Sequence, residues 1–240
     1  MLKEFIEKIE QVVKPEVVGV DGRQFSTRAL HPVLEPMPSA LVVSNLSSLV
    51  EYFKNWYVTD DFGDKSLLVH VETPLSVKLR SRLVGPFEQR ACLLEAKEGF
   101  QWGEANKWMN PEAFTIMLMS QFVQDDAVAM ILKLTGNIVD SRIGTFDDDG
   151  ISQTVSAKVG IARRDNVVVP PRVQLRPFRC FAEAEQPASD FLLRMRSGQG
   201  EVPPAIALFE ADGGAWKNQA MANVRAYLKG KLPEGAVILA

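Results

Sequence analysis

Glu95-Ala96-Lys97, at the end of the apolar run Ala91–Leu94, has the acid-x-lysine spacing of a metal-dependent nuclease strand. In that chemistry the carboxylate holds Mg²⁺ and the lysine steadies the attacking water or the phosphate charge. A second acid must come from a neighbouring strand, and Glu72 or Glu88 would have to supply it. Asp147, Asp148 and Asp149 before Gly150 cluster carboxylates as hard cations require, yet no bidentate glutamate follows at loop spacing, so a polar turn is expected. Asp212-Gly213-Gly214 marks a strand-to-helix junction, where the amides of Gly213 and Gly214 could receive an anion. The fuller glycine-rich spellings are missing, and Asp212 could equally cap the helix. His31 and His70 are the only histidines, and Cys92 and Cys180 the only cysteines, so no Cys/His zinc site or nucleophilic triad is spelled. The expectation is a protein with no catalytic residue, metal or cofactor, which acts by binding. A nuclease built on Glu95 and Lys97 is the enzymatic alternative.

Charge suggests the ligand. The net charge of −3 excludes a uniformly basic coat, but positive charge is concentrated locally. Residues 73–97 hold 5 basic and 2 acidic residues, and residues 151–200 hold 8 and 4. Strand alternation places Lys78 and Arg80 on one face, Arg172 and Arg176 on a second, and Arg194 and Arg196 on a third. If these strands are neighbours, their outward faces form a basic surface able to follow a phosphate backbone. The competing reading is a solvated sheet face balanced by acids across the strands. Phe100, Trp102 and Trp108, followed by Met109, Met117, Met119 and Met130, either fill the core beneath helices or make an adaptable binding face.

The elements that position these residues follow from periodicity. Residues 2–13 carry Leu2, Phe5, Ile6, Ile9 and Val13 on one helical face, and Pro15 ends the helix. A helix this short is marginal alone, so its stripe needs burial on its own domain or against a second copy, and a homo-oligomer is expected. Asp21-Gly22 reads as a hairpin turn and Ser44 as the cap of a helix to about Trp56. Strands are expected near 66–72, 75–80, 90–97, 151–162, 171–182, 190–196, 205–210 and 236–239, with Asp165-Asn166 as one of the turns between them. Helices should open at Asn110-Pro111-Glu112 and at Asp125-Asp126, and a last one should carry Ala220, Val224, Tyr227 and Leu228 on one face. Helices and strands are segregated, so the class is α+β with a largely antiparallel sheet and helices on one face. The domain reading is an N-terminal helical arm, 1–16, and a single domain, 17–240. No run approaches the roughly 20 apolar residues of a membrane helix, the N-terminus lacks a signal-peptide core, and the two cysteines suit a reducing cytoplasm.

Three strings carry a resemblance: Asp148-Asp149-Gly150-Ile151-Ser152-Gln153, Glu185-Gln186-Pro187-Ala188-Ser189, and Leu208 through Trp216 (LFEADGGAW). From about residue 17 onward the chain resembles a family of conserved phage and prophage proteins of Gram-positive bacteria, and its ending is more distantly similar to the YfdQ-like prophage proteins. The resemblance carries over no functional residue. It implies a setting alone, a phage product in the host bacterial cytoplasm. Within that setting the basic strands favour DNA as the ligand, in phage replication or recombination, and the alternative is a protein target, a host defence factor or another phage component.

Overall fold

Alternation of apolar and polar residues at period two sorts most of this chain into sheets. The computed structural model describes residues 2–20, 23–26, 36–37, 39–59, 67–83, 88–99, 106–139, 146–148, 153–159, 163–196 and 204–240. By contact the chain divides into two compact units: Met1–Met37 with Leu83–Gln89, and Pro38–Arg82 with Arg90–Ala240.

The first unit contains helix α1 (Leu2–Val13) and a hairpin of β1 (Val17–Val20) and β2 (Arg23–Ser26). Pairing of Val20 with Arg23 leaves two residues between the strands, as a tight Asp-Gly turn requires, although Asp21 and Gly22 themselves lie outside the described residues. The α1 stripe is solvent-facing throughout, from Ile9 at 46% exposure to Leu2 at 75%.

The second unit has two cores. The first lies under the mixed sheet β13-β4-β5-β6-β3, formed by β3 (Leu41–Val43), β4 (Leu68–Thr73), β5 (Ser76–Arg80), β6 (Cys92–Lys97) and β13 (Val237–Leu239). The central pairs are antiparallel, while the edge strands β3 and β13 run parallel to β6 and β4. Val77 and Leu79 of β5 enter the core, as their alternation with Lys78 and Arg80 requires. Helix α2 (Leu46–Thr59) packs there with Leu46, Leu49 and Phe53, and α5 (Trp216–Lys231) with Ala220, Val224 and Leu228. The α2 cap is Asn45 rather than Ser44: its Oδ1 accepts from the Ser48 amide at 2.8 Å, the three-residue reach of a cap at this helix start. Glu183, distant in sequence, accepts from the Leu46 and Ser47 amides at 2.9 and 3.2 Å and so completes the helix end with a favourable charge.

The second core joins α3 (Pro111–Gln121) and α4 (Asp126–Val139) to the antiparallel sheet of β10 (Arg172–Leu175), β11 (Ser189–Arg196) and β12 (Ala205–Glu210). Phe114, Leu118, Phe122, Val128 and Ile131 meet Leu175, Phe191, Leu193 and Leu208 in a fully enclosed layer. Both helix starts behave as their sequences predict. Asn110 accepts from Ala113 N at 2.8 Å, and Asp125 accepts from Val128 N at 3.1 Å. A third sheet holds β7 (Phe146–Asp148), β8 (Gln153–Val159) and β9 (Arg163–Val169).

Three expectations need correction. Asp147 and Asp148 lie in β7, paired with Thr154 and Gln153, so strand pairing overrides their turn propensity. Asp165 and Asn166 lie inside β9, opposite Ala157 and Ser156, so the β8–β9 connection falls earlier. The strand expected over 171–182 stops at Leu175, because the chain beyond it leaves the sheet and places Cys180, Phe181 and Ala184 in the first core. The architecture is α+β with predominantly antiparallel pairing, and no helix among the described residues is long and apolar enough to cross a membrane.

Candidate nucleic-acid interface

The β10-β11-β12 sheet buries one face under α3 and α4 and leaves the other open. Its register sets out the open face in rows. Gln174 lies opposite Asp190, Arg172 opposite Leu192, Arg194 opposite Ala207, and Arg196 opposite Ala205; Leu192 continues to Phe209 on β12. Beyond β12, residues 106–110 add an edge, entered through Asn106 at positive φ. Met109 and Ile206 exchange backbone hydrogen bonds at 2.9 and 2.8 Å, and the Asn106 amide donates to Leu208 O at 2.8 Å. Met109 therefore points into the core with Ile206, and its neighbour Trp108 points to the open face beside Ala207. The side-chain contacts agree with this register. Trp108 meets Phe209 edge to face at 5.9 Å between ring centroids, and the Arg196 guanidinium sits 4.8 Å from the Trp108 ring centroid.

This face thus joins Arg172, Arg194 and Arg196 to an aromatic platform of Trp108 and Phe209, with the small Ala205 and Ala207 buried between them. Trp108 is 40% exposed, so its indole is neither core filler nor hidden. Arginines beside exposed rings are the arrangement that holds single-stranded nucleic acid: guanidinium groups take phosphates and rings stack bases. Sequence reasoning missed Phe209 because β12 is apolar on both faces and has no readable alternation. It could not place Trp108 because the edge segment is too short to show a period. Phe100 and Trp102 lie outside the described residues.

The other predicted basic residues lie elsewhere. Lys78 and Arg80 are on β5, which belongs to the other sheet and does not neighbour β10 or β11, so the single continuous basic surface expected across these strands does not form. Both face Glu72, Lys78 at 2.6 Å and Arg80 at 3.8 Å, as in the charge-balanced alternative. The hydrogen bond from Lys78 holds the Glu72 carboxyl below its ordinary value, and Glu72 raises the Lys78 ammonium in turn. Arg176 pairs with Asp125 at 3.2 Å beside the three-stranded sheet.

The nuclease spelling is set out on the same β5–β6 face. Glu95 lies opposite Lys78 and accepts from Ser76 Oγ at 3.2 Å. Glu72 is two strands away from it, roughly 9–10 Å by strand spacing, with Lys78 on the strand between. Among the described residues no three His, Cys, Asp or Glu side chains gather closely enough to hold an ion. Cys180 is buried and its thiol is pushed up to about 11 by desolvation, so it is protonated and unreactive at neutral pH.

At one end the open face runs into a cleft of about 460 Å³ between Gln174, Arg176, Asp190 and the start of α5. Beneath it lies a buried hub. Arg179, 2% exposed, donates from Nη1 to Glu210 Oε1 at 2.5 Å and from Nη2 to Ser189 Oγ, and its guanidinium covers the Trp216 ring at 3.9 Å. Ser189 Oγ donates to Asp212, and Gln186 Oε1 accepts from the Arg179 amide at 2.9 Å. Gly213 and Gly214 have positive φ, which lets the chain turn into α5, and Asp212 Oδ1 accepts from the Gly214 amide at 2.9 Å. The carboxylate of the chain itself thus takes the amide that an anion would use.

The strings 185–189 and 208–216, far apart in sequence, meet at this hub and cleft. The fold and site define an α+β protein with an open sheet face bearing arginine and tryptophan, and a polar cleft at its end. Compared with protein-family models, curated proteins and solved structures, the chain matches none of them.

Proposed function

We propose that this chain is a phage-encoded accessory protein that binds single-stranded nucleic acid across the open face of the β10-β11-β12 sheet, in replication or recombination in the host bacterial cytoplasm. The observation that carries the reading is the Trp108–Phe209 platform with Arg196 over the indole and Arg172 and Arg194 in neighbouring rows. Stacking serves any base, and three arginines serve the backbone, so binding of this kind is broad in sequence and sensitive to salt. The phage setting draws its support from the resemblance of the strings 148–153, 185–189 and 208–216.

Titration of a fluorescent oligothymidylate tests it. Three phosphate contacts release enough counterions for affinity to fall by about 20-fold between about 50 and 200 mM salt. A duplex of the same length should bind more weakly, since its bases are not free to stack on Trp108. Undetectable binding of the single strand at low salt would remove the reading.

The homo-oligomer forms through α1. Its stripe of Leu2, Phe5, Ile6, Ile9 and Val13 is exposed along its whole length, and an isolated helix of this size gains stability in water chiefly by burying such a face. Light scattering should give a mass above one chain, and deletion of residues 1–14 should return it to one. A monomeric full-length protein at micromolar concentration rules this out.

A further inference from the structure

We propose that the cleft at the end of the sheet face takes a guanine base of the bound strand and reads its Watson–Crick edge with Asp190 and Gln174. This rests on the nucleic-acid reading and adds a base preference to it. Gln174 and Asp190 are directly opposed partners on β10 and β11, with about 5 Å between Cβ atoms in such pairs, and both line the cleft. Of the other polar groups around them, Asp212 is committed to Ser189 and Gly214, Arg176 to Asp125, Asn223 Nδ2 to the Glu185 carbonyl at 2.8 Å, and Gln219 Nε2 to Asn223 Oδ1 at 2.8 Å, while the Glu185 carboxylate at the cleft wall is exposed. Among the described residues the Asp190 and Gln174 side chains make no hydrogen bond or ion pair.

A carboxylate beside a primary amide offers two acceptors and then a donor. Guanine is the base whose edge is the complement of that order. Its N1–H and exocyclic N2–H can both donate to the Asp190 oxygens, and its O6 can accept from Gln174 Nε2, which gives three bonds, two of them charge-assisted. Adenine and cytosine offer the carboxylate a single amino group and set a ring-nitrogen lone pair beside it. Thymine and uracil offer one imide N–H between two carbonyls that repel it. The surroundings suit a nucleotide. Arg172 stands two residues before Gln174 on the same face of β10, near enough to meet a flanking phosphate, and the Trp216 indole forms part of the cleft wall.

The test is a set of 12-mer oligothymidylates carrying one central dG, dA or dC, titrated by anisotropy against the wild-type chain, Asp190→Asn and Gln174→Glu. Both variants change partly or fully exposed side chains of like size. The dG oligomer should bind at least about tenfold tighter than the dA and dC oligomers and than unsubstituted oligothymidylate, the scale of discrimination by a bidentate contact. Asp190→Asn and Gln174→Glu should each erase that preference, while Asp190→Asn still binds oligothymidylate. Tight binding without preference for dG, or a preference that survives Asp190→Asn, overturns the guanine proposal and leaves the nucleic-acid reading standing. If no oligomer binds, that reading fails, and calorimetry with guanosine monophosphate decides the cleft separately. Binding that is lost in Asp190→Asn upholds it, and absence of heat overturns it.

Discussion

Arg172, Arg194 and Arg196 changed together to glutamate abolish binding of single-stranded DNA at low salt, and the protein remains folded. Each substitution replaces a phosphate contact with a repulsion on a face that bears Asp190 as its acid in the paired rows. The side chains lie outside both cores, so the thermal midpoint should move by no more than about 5 °C. Alanine at one of the three is the gentler version: it should reduce the dependence of log affinity on log salt by about 0.7. Trp108→Ala should differ in kind, costing about 1–3 kcal/mol of binding with the salt dependence unchanged, because stacking releases no counterions. Lys78→Ala is the control. Its ammonium is engaged by Glu72 on another sheet, and DNA affinity should not change. A triple reversal that binds as well as wild type would remove the sheet face from the mechanism.

Stability should depend most on Arg179. Its guanidinium is enclosed and holds Glu210, Ser189 and, at 3.9 Å, Asp212, while packing on Trp216. Arg179→Met keeps most of the volume but leaves the two carboxylates facing each other without a cation. Removing one partner of a buried pair costs about 3–5 kcal/mol, and the lower end applies here because Glu210 is 24% exposed and can be hydrated. For a chain of this size that is a fall of roughly 6–12 °C in the unfolding midpoint. A change under about 1 kcal/mol in urea unfolding would show that the hub is dispensable.

The same hub sets a pH limit. Burial alone would raise the Asp212 carboxyl, but hydrogen bonds from Ser189 and the Gly214 and Trp216 amides, with the Arg179 charge, bring it below its ordinary 3.8. A carboxyl lowered by folding stabilises the folded state above its unfolded value and loses that contribution as pH falls through the folded one. Acid destabilisation from this site therefore begins near pH 4 and lies below it, and Asp212→Asn should remove that part of the acid response.

Local chemistry was legible wherever one element carried its own signal. Lys78 and Arg80 alternate with Val77 and Leu79 and lie on the face opposite the core, and Asn110, Pro111 and Asp125 start helices through contacts within three residues. The β9 strand shows the limit: Asp165 and Asn166 read as a turn because the pairing with β8 that holds them extended is absent from the local sequence.

By itself the sequence determined the α+β class, the amphipathic helices and the outward direction of the arginines on the strands β5, β10 and β11, since these follow from period and from the cost of burying charge. Which arginines share a surface was decided by the tertiary structure alone. Strand parity says which way a side chain points and nothing about which strand lies beside it. Only the pairing of β10, β11, β12 and the 106–110 edge brings Arg172, Arg194 and Arg196 to Trp108 and Phe209, while β5 joins another sheet and gives Lys78 and Arg80 to Glu72. The cleft has the same origin. Gln174 and Asp190 are 16 positions apart, and residues 185–189 meet 208–216 through a buried arginine whose neighbours no local pattern names.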